Sequence, residues 1–548
     1  MEKLAALCLT FSHAALFSPA STGYEINNHA DMSQRASEIG FPISGTNDKL
    51  FRLGLRRLAI SDPRQTFALG AGLPPIPYCF GEFLPGGSFR EYELTTAGGR
   101  VQDPAVVQPT GSKLTIAQLF RYGACFEDSE TPDKKPLALF YNPPDAGRGL
   151  SFGLVVPGPS SLDWTLTRNA TPSGNTGINH FTYMDARDFF YKAITKFTTI
   201  ERDKNWALTF QALGHIAHHL QDMGSPQHAR NDTHCNANIC ATLGIDRPSG
   251  FEYYFDSQFR TVRALAATAT APMMFGLPRE FWNINTSDAR GGFTTTNPSA
   301  AVAASGGIAA YTSTSFTSAG KNFEASVSPS GLVYLRATGL PFPRPSGTFN
   351  DVNVGQLFPA ASLFAVRDRL CGGTTANCRV RFMGTEQDPN ARTASASVFS
   401  QELLNPAGSF VSRKAFQQNF FTYADAAPKL IPKAVEYSAS LINYFFRGEM
   451  AIRLPAEGLY GIIDGGNPAS TCKDSCGFPK LKLRLKNTTA AINGVAQDMV
   501  GGTLVGVVKF SRNSCYTSDW LRDPGELNSF DSGKVASCLL GRRAADYA

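Results

Sequence analysis

Histidine is scarce in this chain, with eight residues among 548. Charge of one sign is scarce too: the formal net charge is only +6 over the whole length. So mild an excess suits an anionic substrate or surface, and it does not demand nucleic acid. Beyond the N-terminal segment no stretch reaches eighteen apolar residues without a charge, so no membrane span is expected. Apolar residues still make up 43% of the chain, enough for real cores. The length predicts two or more domains, or one enlarged domain.

The scarce residue is concentrated. His215, His218, His219 and His228 fall within fourteen consecutive positions of WALTFQALGHIAHHLQDMGSPQHARND. Leu208, Ala212, Leu213, Ile216 and Leu220 repeat at helical spacing, and Gly224 and Pro226 end the helix. His218 and Asp222 are four apart and share a face. His228 follows the turn and can fold back on them. Imidazole, carboxylate and imidazole converging at a helix end is what a zinc site needs. His219 points about 100° away from His218 and reads as a surface residue or a partner of a ligand. His215 lies one turn earlier, as such a partner or a spare ligand.

The N-terminus has the character of an export signal: a charged Met1-Glu2-Lys3, an apolar Leu4–Phe17, and small residues at Ser18, Ala20 and Ser21. Cleavage is expected between Ala20 and Gly23, so residues 1–23 are read as a signal peptide and the protein as secreted or periplasmic. Of eleven cysteines, Cys8 lies inside that segment, leaving an even number. Spacing pairs Cys235 with Cys240, Cys371 with Cys378, Cys472 with Cys476, and Cys515 with Cys538, leaving Cys79 for Cys125. Disulfides fit an oxidising compartment. Cys472 and Cys476 read as a disulfide rather than half a zinc site, because no second pair or histidine accompanies them.

In order along the chain, His29 precedes a segment with Asp31 and Ser33 as candidate caps and a helical stripe of Met32, Ala36 and Ile39. Residues 60–112 read as irregular surface with short strands. SKLTIAQLFRYGACFEDSE predicts an amphipathic helix with Leu114, Ile116, Leu119 and Phe120 inward. It is expected to end near Gly123 and to lead into the acidic pair Glu127-Asp128. Residues 129–176 look like a long loop or insertion that delivers Asn179-His180-Phe181 ahead of the helical MDARDFFYKAITKF. After the central helix come His234 and GFEYYFDSQF, where Glu252 and Asp256 share a helical face. From 270 to 420 short helices are expected near Gly307–Ala319 and Phe358–Arg369, separated by loops. Pro432–Arg447 is a closing helix striped by Val435, Ala439, Ile442 and Phe446. Beyond about 451 the pattern changes. Leu481, Leu483 and Leu485 alternate with Lys480, Lys482, Arg484 and Lys486, a half-buried strand, and GGTLVGVVKF reads as another. A β-sandwich-like accessory domain is expected over 451–548, following a mainly helical domain over 24–450.

LGHIAHHLQDMGSPQHARND resembles the core motif of the zinc-dependent phospholipase C and single-strand-specific nuclease superfamily. The shared spacing is a histidine, three residues, an aspartate, five residues and a histidine, here His218, Asp222 and His228. The resemblance implies a multi-helix fold around three zinc ions, the aspartate bridging two. It further implies His29, Asp128 and His180 as ligands beside His218 and Asp222, and His228 with Glu252 around the third ion. The family places a histidine four residues before the acidic ligand. Pro248 stands there in this chain, and His234 is the histidine free to replace it. The family's best-known members also use an N-terminal tryptophan, for which this chain offers only the backbone of Tyr24.

A zinc pair of this kind makes a water nucleophilic near neutral pH, for in-line attack on phosphorus. Asp128 is then the candidate catalytic base. Asn179, Gln221 and Asp232 are candidates for holding ligand imidazoles. The implied activity is hydrolysis of a phosphodiester, with a phospholipid headgroup first and a transient membrane-surface contact. Single-stranded nucleic acid is second, with Phe181, Tyr183, Tyr253 and Tyr254 available for stacking or for the core. A third reading is a secreted binding protein whose degenerate metal site is structural.

Overall fold

The computed structural model describes residues 25–41, 49–69, 113–127, 138–143, 148–150, 158–168, 178–232, 250–257, 259–270, 275–283, 306–318, 323–327, 333–337, 345–353, 379–385, 388–396, 416–418, 420–456, 480–492, 494–499 and 504–506, with short hairpin segments between 81 and 102 and isolated positions at 272, 343 and 461–462. The chain forms two units, Met1–Phe446 and Arg447–Ala548. The first is mainly helical.

Its helices are α1 (Glu25–Gly40), α2 (Ile116–Glu127), α3 (Ser161–Leu166), α4 (Tyr183–Thr195), α5 (Thr199–Asp222), α6 (Pro226–Ala229), α7 (Gly250–Ser257), α8 (Phe259–Ala267), α9 (Ile308–Ser315) and α10 (Phe420–Phe445). Helix α5 is the axis of the unit. Thr198 caps it by accepting from the Glu201 N–H, and Glu201 adds negative charge to its first turn. From Asn205 to Asp222 all its side chains but Leu208 are buried.

Helix α2 packs on α5 at unusually short range, and two glycines make that possible. A Cβ on Gly123 would lie 2.0 Å from the Gln211 carbonyl oxygen, and one on Gly214 would lie 2.4 Å from that of Phe120. Gly123 therefore does not end α2, as the sequence suggests. It lets two backbones touch, and the helix runs on to Glu127. Nor is α2 amphipathic: every side chain from Ile116 to Glu127 is buried.

Other boundaries move for similar reasons. Helix α1 begins at Glu25, so Asp31 and Ser33 lie inside it and do not cap it. Asp31 instead pairs with Arg121 of α2 and, at 2.8 Å, with Arg263 of α8, tying three helices through one buried carboxylate. Helix α10 starts at Phe420 and carries Pro428 and Pro432 within it. Proline at 432 looks like a start in sequence, but Tyr423, Ala426, Ala427, Leu430 and Ile431 are buried ahead of it and hold the first turns helical. The expected stripes survive: Met32, Ala36 and Ile39 in α1, and Val435, Ala439, Ile442 and Phe446 at the end of the unit, are all buried.

Residues 60–112 hold β1 (Thr66–Ala68), β2 (Gly81–Phe83), β3 (Phe89–Glu91), β4 (Glu93–Thr96) and β5 (Gly99–Gln102); β1 pairs with β6 (Lys113–Thr115) and the others form two short antiparallel pairs. The stretch expected to be helices and loops contains α9 and then a six-stranded antiparallel sheet. Its strands are β7 (Phe323–Val327), β8 (Val333–Ala337), β9 (Pro345–Asn353), β10 (Arg379–Thr385), β11 (Ala394–Ala396) and β12 (Phe416–Gln417), in the order β8-β7-β12-β11-β10-β9. VYLRA and RVRF alternate as strands do, with Val380 and Phe382 buried on either side of Arg381, a signal the sequence reading passed over. The helix expected at Phe358–Arg369 lies outside the described residues.

In the second unit, β13 (Met450–Arg453) pairs with β16 (Arg484–Asn487), and β14 (Gly461–Ile462) pairs with β15 (Lys480–Leu481). Leu483 and Leu485 are half-buried between exposed Lys482, Arg484 and Lys486, the alternation read from sequence. Leu504–Gly506, expected in a strand, are irregular. Among the described residues no helix is long and apolar enough to cross a membrane.

Candidate metal centre

Two helices bring the centre together. His29 comes from α1, His218 and Asp222 from the last turns of α5. The Nε2 of His29 lies 3.3 Å from Asp222 Oδ1, and the Nε2 of His218 lies 3.1 Å from Asp222 Oδ2. The two imidazoles face one another with centroids 3.9 Å apart. All three side chains are completely buried. Ligands about 2.0–2.2 Å from a tetrahedral zinc stand roughly 3.3 Å from one another, so the spacing suits shared coordination. Among the described residues this is the one group of three such side chains whose donor atoms all lie within 4.8 Å.

The charge states suit it too. Burial, reinforced by His29, pushes the His218 pKa down to about 4, against the opposing pull of Asp222. At neutral pH His218 is therefore an uncharged imidazole with a lone pair. Burial alone would raise the Asp222 carboxyl, but the imidazoles of His218, His228 and His29 together take it well below its usual range. An ionised carboxylate and a neutral imidazole are the forms that bind metal.

Helix α5 stops at a tight turn, where the N–H groups of Gly224 and Ser225 donate to Gln221 and Asp222 carbonyls at 2.8 Å. Pro226 then opens α6 at a position where a missing N–H costs nothing. After α6 the chain reverses at Asn231, whose φ of 50° is left-handed, a conformation asparagine tolerates. The turn at Gly224 and Ser225, ahead of α6, is what returns His228 toward Asp222. The segment 139–141 clamps His228: its Nδ1 donates to the Leu139 carbonyl at 3.0 Å, its own carbonyl accepts from Tyr141 N–H at 3.2 Å, and Phe140 stacks on the ring at 4.5 Å. A carbonyl can only accept, so Nδ1 carries the proton. The remaining Nε2 faces Glu252 Oε1 of α7 at 3.4 Å, both groups buried. Two acceptor atoms so placed need a proton or a metal ion between them.

Gln221 orients His29. Its amide lies 2.9 Å from His29 Nδ1 and 2.8 Å from Ser33 Oγ. With the amide oxygen toward the ring, Nδ1 holds the proton and Nε2 offers a lone pair to the centre. With the amide reversed, its nitrogen donates to Nδ1 and to the His29 carbonyl, and Nε2–H points at Asp222. Among the protein's own groups the reversed amide is better satisfied, since its oxygen then also accepts from Ser33 N–H at 3.3 Å. Ligation through Nε2 requires the first orientation.

The other histidines of α5 serve a second carboxylate. Glu127, at the end of α2, places Oε2 2.5 Å from His215 Nδ1 and Oε1 3.0 Å from His219 Nε2. Trp164 of α3 donates its indole N–H to the same Oε1 at 2.8 Å. The Trp282 indole donates to Ser161 Oγ at 3.1 Å, which leaves the Ser161 hydroxyl proton for His219 Nδ1 at 3.2 Å. His219 is therefore not a surface residue. It is buried, its tautomer set by two indoles that can only donate. His215 is flanked by Phe181, stacked at 4.2 Å, and Phe126.

The eight expected ligands thus divide. His29, His218 and Asp222 meet. His228 and Glu252 meet beside them. Asp128 and His234 lie outside the described residues. His180 is exposed, because its neighbours take the inward positions: Asn179 donates to the Trp164 carbonyl at 2.7 Å, and Phe181 stacks on His215. Of the expected imidazole partners, Gln221 fills that role, whereas Asn179 is bound to backbone. The buried acidic residue at the α2 end is Glu127, which sequence reasoning passed over. The signal was present in His215 and His219, four apart and both needing an acceptor. Trp164 and Ser161 come from within the stretch read as an insertion. Cys125 is disulfide-bonded; the other cysteines, and so the pairings read from spacing, lie outside the described residues.

No family model, no curated protein and no solved structure matches this chain.

Proposed function

We propose that this chain is a secreted zinc-dependent phosphodiester hydrolase of the phospholipase C and single-strand nuclease type, acting first on phospholipid headgroups. One observation carries the reading: a buried His228 Nε2, its tautomer fixed by the Leu139 carbonyl, faces Glu252 while His29 and His218 face the two oxygens of Asp222. That donor set fits zinc. His29, His218 and Asp222 would hold one ion, and His228 and Glu252 another. Asp128, His180 and His234 are the remaining ligands that the family resemblance implies, and the exposed His180 argues least for itself.

Bound zinc supplies a Lewis acid and an activated water at neutral pH. The chain's own residues prepare for this. Burial keeps His218 unprotonated, and the surrounding imidazoles keep Asp222 ionised. Leu139 holds the His228 proton on Nδ1, and Gln221, with its amide oxygen toward the ring, would hold the His29 proton on Nδ1 and leave Nε2 a lone pair. The dry environment strengthens every charge interaction in the centre.

Metal analysis of the purified chain, paired with assays on phosphatidylcholine and on single-stranded DNA, tests the reading. More than one zinc per chain and hydrolysis of a phosphodiester are expected, both lost in His218→Ala. Hydrolysis that survives this substitution would remove the site. Cleavage of DNA but not lipid would select the nuclease reading, and one structural zinc or none, without hydrolysis, the binding protein.

A further inference from the structure

At the end of α5 opposite the metal residues, the turn joining α4 to α5 carries two large apolar side chains almost wholly in solvent. Phe197 is 92% exposed and Ile200 84%, and Tyr191 on the last turns of α4 is 50% exposed. The turn is not loose. Thr198 caps α5 and donates its hydroxyl to Glu201 at 2.8 Å. Arg202 donates to the carbonyls of Lys196 at 3.1 Å and Phe197 at 2.7 Å, and to Thr199 Oγ1 at 3.0 Å. Lys196 pairs with Glu201 at 3.5 Å. The tip is therefore held in one shape with its apolar residues pointing out. Between Tyr191 and Lys204 the chain carries Lys192, Lys196, Arg202 and Lys204 against Glu201 and Asp203, a cationic excess in which Lys196 is paired with Glu201 and Arg202 holds backbone carbonyls.

We infer that this tip docks the protein on an anionic lipid surface. A convex pair of apolar side chains needs a soft apolar medium, and cations around it need phosphates at the same depth. A bilayer containing anionic lipid supplies both. The half-exposed Tyr191, apolar with a polar end, suits the headgroup layer. Prior ordering by Arg202 and Thr198 means that little entropy is lost on contact. From Thr199 to His218 the helix rises roughly 28 Å, so the tip is separate from the metal centre. Docking there does not rest on the hydrolase reading.

Co-sedimentation of the full chain with vesicles tests this, using phosphatidylcholine alone and phosphatidylcholine mixed with phosphatidylglycerol. The chain is expected to bind the mixed vesicles, and to bind less at high salt and on phosphatidylcholine alone. Phe197→Ser with Ile200→Ser should lower the partition coefficient by about tenfold or more, with an unchanged melting curve because both residues are exposed. His218→Ala should bind as the unmodified chain does, whatever its effect on hydrolysis. Failure of the unmodified chain to bind mixed vesicles, or equal binding by the double variant, overturns the inference. So does a solution dimer that the double variant abolishes without any vesicle binding, which would assign the tip to a second copy.

Discussion

Asp222→Asn isolates the centre's shared ligand. The change is isosteric, so it opens no cavity, but it removes the charge lying 3.3 Å from His29 Nε2 and 3.1 Å from His218 Nε2. Loss of a residue that merely orients a ligand weakens metal binding about 10- to 100-fold, and loss of a direct ligand should cost at least about 100-fold. Zinc held about 100-fold above its dissociation constant stabilises the folded chain by about 2.7 kcal/mol. After a 100-fold weakening the same zinc contributes only about 0.4 kcal/mol. The difference corresponds to roughly 2–3 °C in Tm for a unit as long as the one that ends at Phe446. The assay is a pair of melts, in zinc and in chelator, together with zinc per chain. The quantity read is the zinc-minus-chelator difference, so any effect of the variant on the metal-stripped protein cancels. An unchanged difference with unchanged stoichiometry would show that Asp222 binds no metal, and the geometric reasoning would fail with it.

Two further outcomes are expected. In chelator, acidification should destabilise the chain, because His218 stays unprotonated in the fold down to about 4 while the unfolded residue takes its proton near the ordinary imidazole value of 6.5. The unfolded state then binds more protons throughout that window, so the His218 contribution falls as pH drops from 6.5 toward 4, by about 3 kcal/mol in all, and Asp222, held ionised in the fold below its usual range, carries the loss on at lower pH. Urea titrations across the window should show this slope, and His218→Gln should flatten it; an equal slope in that variant would place the proton elsewhere. Gly123→Ala should destabilise by about 3 kcal/mol or more, since its Cβ would meet backbone at 2.0 Å and backbone cannot step aside as a side-chain tip can. A thermal melt within a degree or so of the unmodified chain would mean that α2 and α5 are not so closely packed.

The difference between the legible and the hidden parts of this protein is one of range. His218 and Asp222 were readable because helical periodicity alone puts residues four apart on one face, and Gly224 and Pro226 announce the turn that returns His228. The stripes of α1 and α10 and the leucine alternation near residue 483 were readable for the same reason. Boundaries set by tertiary packing were not. Gly123 looks like a helix end until α5 is seen against it, and Pro432 looks like a start until the buried turns before it are seen. In the sheet over 323–417 the alternation of VYLRA and RVRF was local and readable, but the order that sets β12 between β7 and β11 was not, because those strands lie far apart in the chain. Sequence determined which side chains share a helix face, because that depends only on neighbours in the chain. Only the tertiary structure decided that Glu127 receives His215 and His219, that Leu139 fixes the His228 tautomer, and that His180 points outward, because each depends on which distant backbone arrives with an acceptor or fills the inward position first.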